Sequence, residues 1–147
     1  MRIAWVVALL AALAGCAALR GAPSLPDCPG ELVPPSQIPG NFLLRLRMRV
    51  RAEAIDTSLE LAVQKRGDEL VMVAFDPVVA VAFHVTQSAG GVEVERRLPA
   101  ALVPVPPLNV LRDVHRARFG DQVRVELDNR ACGYRASVIE LSRQELP

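Results

Sequence analysis

Phe42-Leu43-Leu44-Arg45-Leu46-Arg47-Met48-Arg49-Val50-Arg51 alternates apolar and cationic residues from Leu44 onward. Successive side chains of a strand point to opposite faces. The period of two therefore predicts a strand with Leu44, Leu46, Met48 and Val50 on one face and Arg45, Arg47, Arg49 and Arg51 on the other. Further along, Leu59, Leu61 and Val63 alternate with Glu60, Ala62 and Gln64, and Lys65-Arg66-Gly67-Asp68 reads as a turn. Residues 70–75 and 78–85 are apolar on both faces, with Asp76-Pro77 between them. Ser88-Ala89-Gly90-Gly91 predicts a hairpin turn, after which Val92 and Val94 alternate with Glu93 and Glu95. Residues 99–107 make a proline-rich crossing into the helix candidate, residues 108–118. Pro106 and Pro107 suit its first turn, and Gly120 stops it. Leu108, Leu111, Val114 and His115 share a face of that helix, while Arg112, Asp113 and Arg116 fall elsewhere. Val123, Val125 and Leu127 alternate with Arg124, Glu126 and Asp128; Asp128-Asn129-Arg130-Ala131 turns, and residues 133–141 supply a last strand.

This reading gives about seven strands and one short helix, a mainly β (α+β) class. Short turns between consecutive strands predict a single curved antiparallel sheet, or half-barrel, with the helix packed on it. The two runs that are apolar on both faces need cover on the second face: a helix, a partner or an apolar ligand. Val71, Val73, Phe75, Val79, Val81 and Phe83 are the expected lining of an apolar cleft. A packed core accounts for the same pattern.

Upstream, Arg2 precedes an uncharged apolar run over residues 3–13, too short to span a bilayer before Arg20 interrupts it. It ends in Leu13-Ala14-Gly15-Cys16, which resembles a bacterial lipobox. The resemblance implies a lipoprotein signal peptide over 1–15, and Cys16 as the first mature residue, with its thiol on a diacylglyceryl group and its amine acylated, commonly by palmitate. Two or three chains make a durable anchor where one does not. Ala17 rather than Asp follows the cysteine, which by the same resemblance favours the periplasmic face of the outer membrane over the inner membrane. Residues 16–40 hold six prolines beyond the cysteine and read as a lipid-anchored Pro/Gly-rich linker, leaving 41–147 as the β-rich periplasmic domain.

Removing 15 of the 147 residues leaves 132, a single-domain size. Arg2 leaves with the signal, so 17 basic residues become 16 against 16 acidic ones. A balanced charge gives no bulk attraction to nucleic acid. Of the three cysteines, Cys28 and Cys132 remain once Cys16 is acylated, an even pair in an oxidising compartment and a candidate disulfide. Two separate thiols, or pairing with another protein, are the alternatives.

Arg45, Arg47, Arg49 and Arg51 could hold phosphate headgroups or an acidic partner, since guanidinium forks suit both. A solvated face with Glu60, Glu93 or Glu95 opposite is the plainer reading. His84 and His115 lie on different elements without metal-ligand spacing, so no metal is expected. No serine sits in a nucleophile elbow, and nothing resembles a phosphate-binding glycine loop. The expectation is a non-catalytic protein without a cofactor.

The lipobox with its proline-rich lead, the strand ladder over 42–98, and Val110-Leu111-Arg112-Asp113-Val114 followed by Asp128-Asn129 and Gly133-Tyr134-Arg135 resemble an uncharacterised bacterial lipoprotein family. Its expected fold is that of the lipoprotein-localisation proteins, and its members are often encoded beside aryl-polyene biosynthesis enzymes. The resemblance implies a module that binds or passes a lipid or acylated molecule at the outer membrane. An assembly accessory that recruits a protein partner, through a sheet edge or the arginine face, is the alternative.

Overall fold

The computed structural model describes residues 21–28, 30–78 and 80–147. The expected leader, Cys16 and Val79 lie outside the described residues. One open antiparallel sheet of seven strands carries the fold, in the order β5-β4-β3-β2-β1-β7-β6. The strands are β1 (Phe42–Ala52), β2 (Ile55–Arg66), β3 (Glu69–Phe75), β4 (Val81–Ser88), β5 (Gly91–Arg96), β6 (Glu126–Asn129) and β7 (Tyr134–Glu145). Among the described residues there is one α-helix, α1 (Pro107–Val114), which continues into a π-helical turn over His115–Phe119. The mainly β class read from the sequence is the class observed.

β1 has the alternation expected of it. Phe42, Leu44, Leu46, Met48 and Val50 are buried, and Arg45, Arg47, Arg49 and Arg51 are exposed. Its length makes it the spine, paired along its whole course with β2 and with β7. Leu59, Leu61 and Val63 of β2, Leu70, Met72 and Ala74 of β3, and Phe83 and Val85 of β4 continue the inner face across the sheet. The first hairpin turns on Glu53-Ala54 and the second on Gly67-Asp68, where Gly67 has φ +53°, a value that a side chain disfavours. Lys65 and Arg66, expected in that turn, are the last rungs of β2 instead. Lys65 is buried, and its Nζ donates to the Gly40 carbonyl at 2.9 Å.

The connection from β5 to β6 joins the two edges of the sheet and carries α1 across the inner face. α1 touches β4 and β5 on one side and β7 on the other. In a flat sheet β5 and β7 would stand five strands apart, roughly 24 Å at the usual spacing, which exceeds the ~10–12 Å width of a helix with its side chains. The sheet therefore curls around the helix. Leu111 and Val114 fill the enclosed space, and Leu108, expected on the same face, is 46% exposed. β6 is shorter than its alternation suggested: Val123 and Val125 precede it and are exposed.

The lead-in departs most from expectation. Residues 16–40 read as an extended linker, yet from Leu25 the chain is part of the fold. Leu25, Pro35 and Ile38 are buried, and the Leu25 N–H donates to the Pro104 carbonyl at 2.9 Å. Cys28 is joined to Cys132 by a disulfide, with the Cα atoms 5.7 Å apart. From that point the lead-in runs beside α1 to the opposite end of the sheet, where Asn41 begins the approach to β1. The bridge closes a span of 104 residues, a length for which chain entropy alone suggests about 4–5 kcal/mol. Measured by urea unfolding, a Cys28→Ser, Cys132→Ser double variant is expected to lose roughly 2–5 kcal/mol with its far-ultraviolet spectrum retained.

Candidate functional site

Asp113 organises the polar interior. Its side chain is fully buried on α1, so each lone pair needs a donor. Arg112 Nη2 donates to Oδ1 at 2.9 Å, the Tyr134 hydroxyl donates to Oδ2 at 2.8 Å, and Asn129 Nδ2 donates to Oδ1 at 3.2 Å and Oδ2 at 3.1 Å. Arg112 also donates to the Tyr134 hydroxyl at 2.5 Å and to the Cys28 carbonyl. Arg116 stands 3.8 Å from Oδ1 and donates to Asn129 Oδ1. Burial, followed by the adjacent Asp113 charge, pushes the Tyr134 phenol well above its usual range. The cluster joins α1 to β6, β7 and the lead-in. Arg112 and Asp113, expected away from the buried helix face, are buried because β6 and β7 reach Asp113 and the lead-in passes over Arg112.

The lead-in is bonded to α1 along its course. Asn109 Nδ2 donates to the Pro26 carbonyl at 2.9 Å, and its Oδ1 accepts from the Cys28 N–H at 2.9 Å. A Cβ on Gly30 would overlap the Cγ and Cδ atoms of Arg112, so the chain passes there only as glycine. His115 Nδ1 accepts from the Val33 N–H at 3.0 Å, and Gln87 Nε2 donates to the Val33 carbonyl at 3.1 Å. The His115 ring meets Phe119 edge to face at 5.2 Å. Burial pushes His115 down to about 4. His84, the other histidine, is half-buried on β4. Among the described residues no three His, Cys, Asp or Glu side chains gather as a metal site.

The expected cleft residues do not share one lining. Val71, Val73 and Phe75 are half-buried on the outer face, and Val81 joins them at 36% exposed. Phe83 points the other way and is fully buried. The cause is a bulge: Ala74 pairs with Phe83 but Phe75 with Val81, so Ala82 is an extra residue that reverses the faces of β4. The described cavity with the most apolar character lies elsewhere. It is a groove of about 500 Å³ between the lead-in, α1 and the β5 edge, lined by Cys28, Leu32, Val92 and Leu108 and by the polar residues Asp27, Asn109 and Arg112. The sequence held little sign of it, because it forms only where the lead-in folds back.

On the outer face, Arg45 and Arg47 reach Glu60 at 3.5 and 3.1 Å, and Arg49 grips Asp56 through two bonds of 2.8 and 2.7 Å. That contact pulls the Asp56 carboxyl below its usual range. Three of the four arginines are thus matched from β2. Glu93 and Glu95, considered as partners, sit on β5, four strands from β1, and do not reach the ladder. Arg51 has instead Arg135 directly opposite on β7.

Comparison with protein-family models, with curated proteins and with solved structures gives no match for this chain.

His115 makes stability depend on pH. An unfolded chain takes up its proton near pH 6.5, whereas the folded one resists until about 4. The unfolded state therefore holds more protons in that window. The stabilisation is complete above about 6.5 and is lost as pH falls towards 4, on the order of 3 kcal/mol in all. His115→Asn keeps an acceptor for the Val33 N–H without the titration. Its unfolding free energy is expected to fall less than the wild type's between pH 7 and pH 5.

Proposed function

We propose that the chain is a lipid-anchored, periplasm-facing, non-catalytic lipoprotein that holds or passes a lipid or acylated molecule at the outer membrane. The anchor follows from Leu13-Ala14-Gly15-Cys16, and the choice of membrane from Ala17. The same reading places the protein with the lipoprotein family of lipoprotein-localisation-like fold that its motifs resemble. Among the described residues no helix is long and apolar enough to cross a membrane.

The observation that carries the ligand reading is the groove beside α1. Its volume of about 500 Å³ falls within the ~300–1,000 Å³ typical of small-molecule sites. Leu32, Val92 and Leu108 offer apolar walls to an alkyl chain, and the engaged Asn109 and Arg112 form a fixed polar side. The curl of the sheet is filled by Phe83, Leu111, Val114 and their neighbours. The ligand is accordingly an acyl chain laid along the rim rather than a whole lipid engulfed by the sheet.

The second reading, an accessory that recruits a protein partner, draws on the outer face. There Val71, Val73, Phe75 and Val81 form a half-exposed apolar strip across β3 and β4, two strands from the arginine ladder.

Metabolic labelling with a palmitate analogue is expected to mark the wild type, and Cys16→Ser to abolish the label. The ligand is tested on a form exported behind an ordinary cleavable leader and beginning at residue 21, which carries no acyl group of its own. Native mass spectrometry is expected to find acyl species bound to it. Leu108→Asp, at an exposed position on the groove wall, is expected to remove them while changing stability by no more than about 0.5 kcal/mol. A form that carries no acyl species directs the assignment to the partner-recruiting reading.

A further inference from the structure

One end of the sheet gathers the β1–β2 hairpin, the β3–β4 connection, the end of β5 and the β6–β7 turn. The chain enters the fold at this same end, held by the Leu25 bond to Pro104 and by the Cys28–Cys132 bridge. Cys16 lies nine residues before Leu25. Fully extended, nine residues reach at most ~3.6 Å each, or roughly 32 Å. The ten steps along β1 from Phe42 to Ala52 put the opposite end of the sheet roughly 33 Å further on. A molecule tethered at Cys16 can therefore rest its entry end on the lipid surface with tether to spare, whereas standing on the opposite end would draw the tether out to its full length.

Two further features sit at the entry end. Val78, in the β3–β4 connection, is 81% exposed, and Leu102, in the segment after β5, is 62% exposed. These are apolar tips on connections rather than on a packed face. Arg51 and Arg135 oppose each other across β1 and β7, an arrangement of like charges that costs stability. Asp56, the register partner of Arg51 on β2, accepts from both Nε and Nη2 of Arg49. Neither Arg51 nor Arg135 has a carboxylate within ion-pair distance among the described residues. Asp128 is the register partner of Arg135 on β6, Glu126 lines the same depression as both arginines, and Asp27, Glu53 and Asp76 stand at the same end, so bulk charge does not carry the contact. Apolar tips and guanidinium groups at one end of the sheet match the two layers of a bilayer interface, acyl boundary and phosphate.

We propose that this end is the face the protein lays on the lipid surface that holds its anchor, with Val78 and Leu102 entering the interface and Arg51 and Arg135 at the phosphates. The proposal rests on the lipid-anchor reading and adds an orientation to it. The test uses the full-length lipidated protein in vesicles of phosphatidylethanolamine and phosphatidylglycerol. Single cysteines replace Val78 or Leu102 at the entry end and Asp68 or Ala89 in the turns of the opposite end. All four positions are exposed, and Cys28 and Cys132 are held in their bridge. Each cysteine carries a fluorophore, and the vesicles carry a quencher on their lipids. Labels at 78 and 102 are expected to be quenched several-fold more than labels at 68 and 89. Equal quenching at both ends, or stronger quenching at 68 and 89, overturns the orientation and leaves the entry end to a protein partner. Flotation with the vesicles reports the anchor separately. A protein that floats without the quenching difference refutes the orientation alone, and one that does not float refutes the anchor and the orientation together.

Discussion

A fully buried carboxyl group cannot be left without donors, and in this protein the donors of Asp113 come from three separate parts of the chain. Arg112 comes from its own helix, Asn129 from β6 and Tyr134 from β7. Desolvating an unpaired ionised group costs far more than any single contact returns. The helix can therefore settle only where Asn129 and Tyr134 can reach it. Removing one partner from a buried ion pair typically costs about 3–5 kcal/mol, even where an apolar replacement of the whole set would be tolerated. The cluster thus acts on placement more than on total stability. It sets how α1 is rotated, and that rotation aims Asn109 and His115 at the backbone of the lead-in.

The lead-in in turn closes the fold. Its backbone has few regular partners, because its prolines cannot join a ladder. Its bonds go instead to Asn109, His115, Gln87 and Lys65, side chains on α1, the π-helical turn, β4 and β2. Each would otherwise be a buried polar group in need of a partner. The interior is consequently filled by the protein's own chain, which leaves a groove at the rim in place of a wide internal cavity.

The parts that were legible in the sequence depended on local alternation. Residues 45–51 have cations on every second position, so a one-residue slip in register would bury four arginines. The glycine at position 67 marked the β2–β3 turn for a similarly local reason. Other features depended on long-range geometry. Nothing in residues 78–85 signals the extra residue at Ala82, and that single insertion places Val81 and Phe83 on opposite faces. Arg112 and Asp113 looked solvent-facing because helical periodicity assumes one covered side, whereas β6, β7 and the lead-in together cover more. A usable signal was present all the same. Arg112, Asp113, Asn129 and Tyr134 all fall within the short motifs that suggested a family likeness, and they are the residues that meet in the interior. The proline-rich composition of residues 16–40 suggests reach, but a segment that cannot join a ladder is also free to bond to something else.

The two edges of the sheet constrain what the protein can do with a partner. β6 is four residues long, too short to template an added strand. β5 is longer, but Arg96 at its end is folded back on the carbonyls of Val103 and Val105, at 3.1 and 3.3 Å, and carries the following segment with it. Glu93 and Glu95 add charge along the same strand. Addition of a partner strand at an edge is therefore opposed on both sides, and the edge route to recruitment loses its physical basis. The arginine ladder is weakened as a docking face for a different reason, since β2 already supplies carboxylates to three of its four rungs. What stays unmatched is the apolar strip of Val71, Val73, Phe75 and Val81, the groove bounded by Leu32, Val92 and Leu108, and the Arg51–Arg135 pair at the entry end. Two of these three surfaces are apolar, so covering them would draw on the hydrophobic effect rather than on strand pairing.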